Sequence, residues 1–144
     1  MYFFDTYALF EIINGNSGYE KYKQYPFVIC ILNVAEFYNG LLRDKGKKEA
    51  DEIYNNFDFD ILDITETLIM EAVGFRHQYK KDDVSLSDAV GYLLARKYGL
   101  KFLTGDKFFE NRDNVEFVKW NCNFLLRFQS LEPVKVEERF YFSY

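Results

Sequence analysis

Four acidic residues stand where predicted strands and helices meet, and their spacing suggests a shared site. Asp5 directly follows the apolar run MYFF, and Asp106 lies two residues beyond the apolar run KFLT. Glu36 lies one helical turn into the helix after a further apolar run, FVICIL, and Asp88 lies in the first turn of a helix predicted over residues 86–98. In a parallel sheet Asp5, Glu36 and Asp106 converge on the carboxyl edge. Asp88 joins them if its helix begins at that edge.

Carboxylates gathered in one place have a chemical use. Uncompensated carboxylates a few ångströms apart repel one another, and one of them must take up a proton. Mg²⁺ or Mn²⁺ removes that cost, because both ions prefer oxygen ligands. Two such ions about 3.5–4 Å apart can activate water and stabilise the leaving oxygen in phosphodiester cleavage. The cysteines and the single histidine show no spacing that suits zinc.

Each of the four acids also fits an ordinary structural role. Asp5 fits the cap of the first helix, and Asp106 fits the start of a turn. Asn33 and Glu36 fit a capping box, and so does the segment SLSD that ends in Asp88. These roles do not explain why four acids meet in one place, and an acid in a first helical turn can still face a cleft.

Strands and helices alternate along the sequence, which predicts the scaffold for these acids. Short apolar runs predict strands over residues 1–4, 27–32, 59–62, 101–104 and 115–118. Helical spacing predicts helices over residues 7–13, 17–24, 34–42, 47–56, 65–79 and 86–98. Such alternation predicts an α/β fold with a mainly parallel sheet covered by helices on both faces.

Length, composition and charge narrow the possible functions. The 144 residues are 49% hydrophobic and contain no low-complexity linker, so we predict a single domain over residues 1–144. The net charge of −5 argues against a general electrostatic grip on nucleic acid, although a local basic groove beside an acidic site is compatible with it. The sequence starts without a basic signal region, and no apolar run nears the roughly 18 residues of a membrane span. We therefore expect a cytoplasmic protein that does not contact a membrane.

Four stretches in order span about residues 1–118: FFDTYALF, NVAEFYNGL, SLSDAVGYLLARKYGLKFLTGDKFF and VEFV. Together they resemble the ordered motifs of PIN domains, most closely those of VapC-type toxin ribonucleases. The long third stretch is the most specific. It combines an acidic helix start, a helix with small residues, Gly99 and a strand that ends in Thr-x-Asp.

The resemblance implies a PIN-like three-layer α/β/α domain with about five parallel strands. It also implies endonucleolytic cleavage of RNA with Mg²⁺ or Mn²⁺. Carried over by position, the catalytic and metal-binding acids are Asp5, Glu36, Asp88 and Asp106. Asp5 and Asp106 are the best direct ligands. Asp88 would bind the metal directly or through a water molecule. Glu36 would bind a second metal or act as a general base.

The same resemblance has implications for neighbouring residues and for partners. Thr6 and Thr104 would be hydroxyl neighbours that orient water or a carboxylate. An antitoxin protein is the expected partner of a toxin, with a peptide inserted near the acidic cleft. The aromatic extension over residues 119–144 suggests packing on the core or a homodimer interface.

The sequence departs from the family pattern at two positions. Many relatives have a second aspartate two residues after the Thr-x-Asp acid, but this chain has Phe108 there, which makes one metal a firmer expectation than two. Asn33 stands where relatives often carry Ser or Thr, although Asn caps a helix equally well.

A basic cluster follows the predicted Glu36 helix. Its members are Arg43, Lys45, Lys47 and Lys48. They fit either a solvated turn or phosphate contacts beside the cleft, which would give salt-dependent RNA affinity. His77 lies late in a helix, and we assign it no catalytic role.

Three functions compete for this sequence. The leading hypothesis is a metal-dependent endoribonuclease that is the toxin of a toxin–antitoxin pair, with a stand-alone RNA-processing nuclease as a variant. The second is a catalytically weak RNA-binding or interaction domain, for which the Phe108 departure leaves room. The third is a phosphoacceptor receiver domain, which needs an acidic pair after strand one and leaves Glu36 and Asp88 unexplained.

Overall fold

A computed structural model describes residues 1–119, so the aromatic extension beyond Lys119 lies outside the described residues. The strands are β1 (Tyr2–Phe4), β2 (Phe27–Cys30), β3 (Phe59–Leu62), β4 (Lys101–Thr104) and β5 (Val115–Phe117). The helices are α1 (Thr6–Ile13), α2 (Ile31–Asn55), α3 (Glu66–Gln78) and α4 (Leu86–Lys97). Single 3₁₀ turns occupy Glu20–Tyr22 and Lys107–Phe109. Among residues 1–119, no helix is both long enough and apolar enough to cross a membrane.

The five strands form one parallel sheet in the order β3-β2-β1-β4-β5. The chain starts in the central strand, builds outward to β3, and then crosses back to add β4 and β5 on the other side. The strand order therefore reverses at β1. In such sheets, ligands bind outside the carboxyl ends of the strands at this reversal. The predicted α/β fold class is confirmed.

Alternating side chains of the central strands face two separate cores. Phe3 and Phe102 lie fully buried on the face that α3 and α4 cover. Phe4 and Leu103 lie fully buried on the opposite face, against α1 and α2. Each large apolar side chain buried in this way contributes about 1.5–3 kcal/mol. The sheet is thus held rigidly between two helical layers, as the three-layer prediction requires.

The second predicted strand ends earlier than expected. The apolar run suggested a strand through residue 32, but β2 ends at Cys30 and α2 begins at Ile31. Asn33 is 1% exposed, and its Oδ1 accepts a hydrogen bond from the Cys30 backbone N–H at 3.1 Å. This buried acceptor closes the first turn of the helix. Asn33 is therefore not the cap of α2, and its predicted capping box with Glu36 is wrong.

The long helix α2 is interrupted at one residue. Gly46 has φ 75° and ψ 167°, a conformation that side chains with a Cβ rarely adopt. Helical geometry resumes after it and continues to Asn55. The predicted helix over residues 47–56 is thus largely the part of α2 that follows this break.

Candidate active site

Asp5 and Thr104 lie side by side at the ends of the two central strands. The Asp5 backbone N–H donates to the Leu103 carbonyl at 3.1 Å, which extends the pairing of β1 with β4 by one residue. Thr104 Oγ1 then donates to Asp5 Oδ2 at 2.6 Å. Both side chains are buried, with Asp5 3% exposed and Thr104 fully inaccessible. Asp5 stands at the cap position of α1 but makes no capping hydrogen bond, so the ordinary role proposed for it from sequence is wrong.

Asp106 is placed by the same threonine. Its backbone N–H donates to Thr104 Oγ1 at 3.1 Å, and its Oδ1 accepts from the Phe108 N–H at 2.9 Å. The carboxylate therefore does start a turn, as its ordinary role predicted, while one side of it stays exposed to solvent. Gly105 permits this geometry because a Cβ there would lie 2.4 Å from the Tyr7 ring.

Asp88 occupies the first turn of α4, as predicted. Ser85 caps this helix, and its Oγ accepts from the Asp88 N–H at 3.0 Å. The side chain of Asp88 is half-buried, and its charge raises the pKa of Asp5. The helix thus begins at the carboxyl edge of the sheet, which the sequence permitted without requiring. The Ser85 cap and the position of Asp88 at this edge therefore coexist.

Glu36 reaches toward the carboxyl edge of the sheet from α2 and contacts a hydroxyl of α1. Thr6 Oγ1 donates to Glu36 Oε2 at 2.9 Å, and the Asn33 side-chain amide donates to Thr6 Oγ1 at 3.1 Å. Glu36 as a residue is exposed, but its carboxyl end bends inward onto the buried Thr6. The two predicted hydroxyl neighbours, Thr6 and Thr104, therefore each orient one carboxylate.

The electrostatics of the site follow from this crowding. Burial is the main cause that raises the pKa of Asp5 well above its usual range. The charge of Asp88 raises it next, and those of Glu36 and Asp106 add to the rise, while the hydrogen bond from Thr104 opposes it. Burial also raises the pKa of Asp88 and of Glu36, with Asp106 acting on the former and Asp88 on the latter. Carboxylates that disfavour one another's ionised forms in this way are uncompensated.

The donor set suits a hard cation held partly through water. Within residues 1–119, no three His, Cys, Asp or Glu side chains form a compact cluster that could hold a metal ion directly. Mg²⁺ usually takes one or two protein carboxylates and keeps several waters, so it does not need such a cluster. The raised pKa values of Asp5, Glu36 and Asp88 indicate negative charge that a divalent cation would neutralise. The residues therefore fit Mg²⁺ or Mn²⁺.

Two polar residues near the acids were not assigned to the site from sequence. One is Asn33, whose position in an apolar run was attributed to a helix cap. The other is Ser87, which is 4% exposed and carries the one buried polar side-chain atom of residues 1–119 without a hydrogen-bond partner. Its hydroxyl lies near enough to Glu36 to lower the pKa of that carboxyl. A polar residue directly before Asp88 was the only available signal for it.

Phe108 belongs to an aromatic cluster. Its ring packs edge-on against Phe75, Tyr79 and Phe109. The guanidinium of Arg112 lies 4.0 Å from the ring centre of Phe108 and 4.2 Å from that of Tyr79. The residue that replaces a family aspartate thus serves packing on the α3 side of the sheet.

The basic cluster of α2 is largely neutralised by its own neighbours. Arg43 pairs with Asp44 at 2.7 Å, and hydrogen bonding to Arg43 lowers the pKa of Asp44. Lys45 pairs with Glu49 at 3.4 Å, and Lys47 pairs with Asp51 at 2.8 Å. Among residues 1–119, Lys48 is the one member of the cluster without such a pair.

The fold and the site together define a class of protein. A parallel sheet in the order 3-2-1-4-5, with acidic residues beyond its carboxyl edge, is an α/β scaffold suited to cation-assisted chemistry. Residues 2–115 match the PIN domain family, and the chain belongs to that family. The resemblance noted from sequence is confirmed. Curated proteins provide no match.

Solved structures of the same fold include toxins and toxin–antitoxin complexes. Mycobacterium tuberculosis VapC20, a toxin that cleaves the sarcin–ricin loop, aligns with a TM-score of 0.68 at 18% identity, covering 83% of this chain and 100% of that one. A toxin–antitoxin complex from Klebsiella pneumoniae aligns with a TM-score of 0.66 at 20% identity, with the same coverage. VapBC2 of Rickettsia felis, bound to a promoter DNA fragment, aligns with a TM-score of 0.63 at 16% identity over 83% of this chain and 98% of that one. These likenesses show a shared fold.

Proposed function

We propose that this protein is a metal-dependent endoribonuclease that hydrolyses RNA phosphodiester bonds at its acidic cleft. The observation that carries the proposal is the gathering of carboxylates at the carboxyl edge, where Thr104 links the buried Asp5 to the turn at Asp106. Burial and like charges raise the pKa values of Asp5, Glu36 and Asp88 there. An arrangement that costs folding energy without a cation is expected where a cation takes part in function. Membership of the PIN domain family supports the same chemistry.

Each acid has a role that matches its surroundings. Asp5 is held by Thr104 and Asp106 is held at the turn after β4, so these two carboxylates would bind Mg²⁺ or Mn²⁺ directly. Asp88, at the start of α4, would bind the ion or one of its waters. When bound, the cation supplies a water of lowered pKa and neutralises charge on the phosphodiester.

Glu36 is suited to proton transfer. Burial raises the pKa of its carboxyl from the usual value toward neutral pH. A general base works best when its pKa lies near the working pH. The Thr6 hydroxyl holds Oε2, which fixes the direction from which the carboxylate approaches the cleft. We assign Glu36 the acceptance of the proton from the attacking water, and no side chain forms a covalent bond to the RNA.

We further propose that the protein is the toxin of a toxin–antitoxin pair. Several of the solved structures that share its fold are toxins or toxin–antitoxin complexes. Its partners would then be RNA and an antitoxin whose peptide covers the acidic cleft. A homodimer through the extension remains a prediction from sequence.

The activity is tested with purified protein and a structured RNA labelled at its 5′ end. Cleavage in Mn²⁺ or Mg²⁺ and none in EDTA is the expected result. Product ends analysed by gel would show internal cuts, which separates an endonuclease from an exonuclease. Asp88→Asn should abolish the cuts while leaving RNA binding, measured by fluorescence anisotropy, within a small factor of the wild type.

The alternative of a catalytically weak RNA-binding domain predicts a different pattern. It requires RNA binding without cuts at any concentration of Mn²⁺. Cuts that persist equally in EDTA, or in Asp88→Asn, would contradict the metal-dependent mechanism.

A further inference from the structure

A buried chain of hydrogen bonds runs from the end of β2 to Glu36. The backbone N–H of Cys30 donates to Asn33 Oδ1 at 3.1 Å. The Asn33 side-chain Nδ2 donates to Thr6 Oγ1 at 3.1 Å, and that hydroxyl donates to Glu36 Oε2 at 2.9 Å. We call this chain the Asn33 relay. Asn33 is 1% exposed and Thr6 is 9% exposed, so water has little access to its central members.

The donors and acceptors of the relay can be assigned in only one way. A backbone N–H can only donate, so the side-chain atom of Asn33 that faces Cys30 must be the oxygen. The other side-chain atom is then the NH₂ group, which donates to the Thr6 hydroxyl. Since Thr6 accepts there, its single hydroxyl hydrogen is free to donate to Glu36. The direction of every bond is thus set by a peptide group of β2.

We propose that Asn33 is a positioning residue that locks the Thr6 hydroxyl as a donor to Glu36. Asn33 touches neither RNA nor the reacting atoms, and it acts through Thr6. The consequence is a Glu36 carboxylate that is oriented before cation or substrate arrives, which lowers the cost of ordering it during the reaction. The inference rests on the proposed function, because it assigns the relay a use in binding the cation and in catalysis.

The first test reverses the polarity of the relay with little change in shape. Asn33→Asp keeps an oxygen toward Cys30 but replaces the donor that faces Thr6 with an acceptor. The Thr6 hydroxyl then turns toward the new carboxylate and no longer donates to Glu36. Loss of one buried hydrogen bond of this kind predicts that kcat and Mn²⁺ affinity each fall about tenfold, with KM for RNA nearly unchanged.

A double-mutant cycle separates positioning from a general effect on stability. Thr6→Val removes the hydroxyl through which Asn33 acts, without burying a new charge, and Thr6→Ser keeps it. If the relay is correct, Thr6→Val causes a loss similar to that of Asn33→Asp, the double variant is no worse than Thr6→Val, and Thr6→Ser restores most activity. Because Thr6→Val tests the same link, the proposal remains testable even if Asn33→Asp does not fold.

A control variant in α3, a helix that contributes no member to the relay, accounts for stability. Ala72 is fully buried in α3, and Ala72→Gly destabilises that helix through backbone entropy. It should lower the melting temperature while leaving kcat and Mn²⁺ affinity near the wild type. Equal losses of kcat in Ala72→Gly and Asn33→Asp at equal melting temperature would overturn the positioning role.

Two measurements separate failure of the relay from failure of the proposed function. Mn²⁺ affinity is measured by electron paramagnetic resonance of the free ion, without RNA. Nuclear magnetic resonance of the Asn33 side-chain NH₂ reports on the relay without any metal, and slow solvent exchange is expected. Fast exchange, or additive losses in the cycle, would overturn the relay. A wild-type protein with a slowly exchanging NH₂ that neither binds Mn²⁺ nor cleaves RNA would overturn the proposed function, and with it the catalytic use of the relay.

Discussion

Charged side chains are compensated differently in two regions of this protein, the carboxyl edge of the sheet and the surface of α2. At the carboxyl edge of the sheet, Asp5 and Asp88 have raised pKa values because burial and like charges disfavour their ionised forms. On α2, Arg43 and Lys47 each have an acidic partner within hydrogen-bonding distance, and the pKa of Asp44 is lowered. This difference in charge compensation distinguishes the residues that can be assigned a function from those that cannot. Charges that the fold leaves uncompensated indicate where a cation would bind, whereas charges paired with their neighbours belong to the solvated surface.

The largest predicted effect comes from removing the most buried acid. Asp5→Asn should reduce Mn²⁺-dependent RNA cleavage by at least about a hundredfold, because loss of a ligand should exceed the effect of losing its supporting partners. The check is a single-turnover cleavage rate at saturating RNA. Asp63→Asn is the matched control, since Asp63 is an exposed acid just beyond β3 and has the same charge. Similar losses in both variants would contradict the contrast between compensated and uncompensated charge.

The next effect is the stabilisation of the folded state by a cation. At a free Mn²⁺ concentration of 100 times the dissociation constant, the free energy of unfolding should rise by about 2.7 kcal/mol. Urea unfolding with and without the ion measures this change. The control is a buffer without divalent cations in which Na⁺ gives the same ionic strength. An equal rise in the free energy of unfolding in that buffer would mean that the stabilisation comes from general charge screening and not from a bound cation.

This stabilisation should depend on pH in a definite direction. The folded-state pKa values of Asp5 and Asp88 are raised, so the metal-free folded state holds protons more tightly than the unfolded state does. That contribution to stability is complete below the ordinary carboxyl pKa of about 4, and it is lost as pH rises through the raised values. Metal-free protein should therefore lose stability over that interval, and Mn²⁺ should stabilise the protein more at pH 7 than at pH 4. A Mn²⁺ effect that is independent of pH would contradict the assigned ligands.

Removing a supporting hydroxyl should have an intermediate effect. Thr104→Val deletes the donor to Asp5 and the acceptor of the Asp106 N–H, and we expect cleavage to fall about tenfold or more. Thr65→Val is the matched control, because Thr65 Oγ1 accepts from the Leu68 N–H as the cap of α3. The control should lose about 1 kcal/mol of stability and keep its cleavage rate. Retained cleavage activity in Thr104→Val would show that the Thr104 hydroxyl is not needed at the site.

The smallest effect is predicted for the paired lysines. Lys45→Gln and Lys47→Gln each break one exposed ion pair, and such pairs contribute little to stability because solvent screens them. RNA affinity and cleavage should change by less than about twofold, since those charges are already neutralised locally. Lys48→Gln is the comparison, because Lys48 has no such partner among residues 1–119. The salt dependence of RNA affinity, measured for all three variants, shows which lysine contributes most to RNA binding. A large loss of RNA affinity confined to Lys45→Gln and Lys47→Gln would contradict the view that their charges are neutralised locally.

The sequence predicted the scaffold well because the scaffold depends on local patterns. Apolar runs and helical spacing placed all five strands, and alternation between them implied the parallel sheet that brings Asp5 and Asp106 to one edge. The error at the end of β2 arose because apolar periodicity continues into α2 there. What ends the strand is the Asn33 side chain, whose buried hydrogen bond to the Cys30 N–H no periodicity can reveal.

The site was predictable in composition but not in its supporting contacts. The spacing of the four acids and the resemblance of their motifs to a family identified them as candidates. The predicted Ser85 cap before Asp88 and the predicted turn at Asp106 are present as well. The contacts that Asn33 and Ser87 make with groups around Glu36 depend on how α1, α2 and α4 pack at one edge. Such contacts join residues far apart in the sequence, so they require three-dimensional coordinates.

The most direct test of the account is a crystal structure of the protein with Mn²⁺, using anomalous scattering to locate the ion. We predict an anomalous peak at the carboxyl edge of β1 and β4, within about 2.3 Å of a carboxylate oxygen of Asp5 or Asp106. Asp88 and Glu36 should lie on the same cleft, bound directly or through water. An ordered protein with no peak at this edge in saturating Mn²⁺, or with its only peak elsewhere, would contradict the central claim.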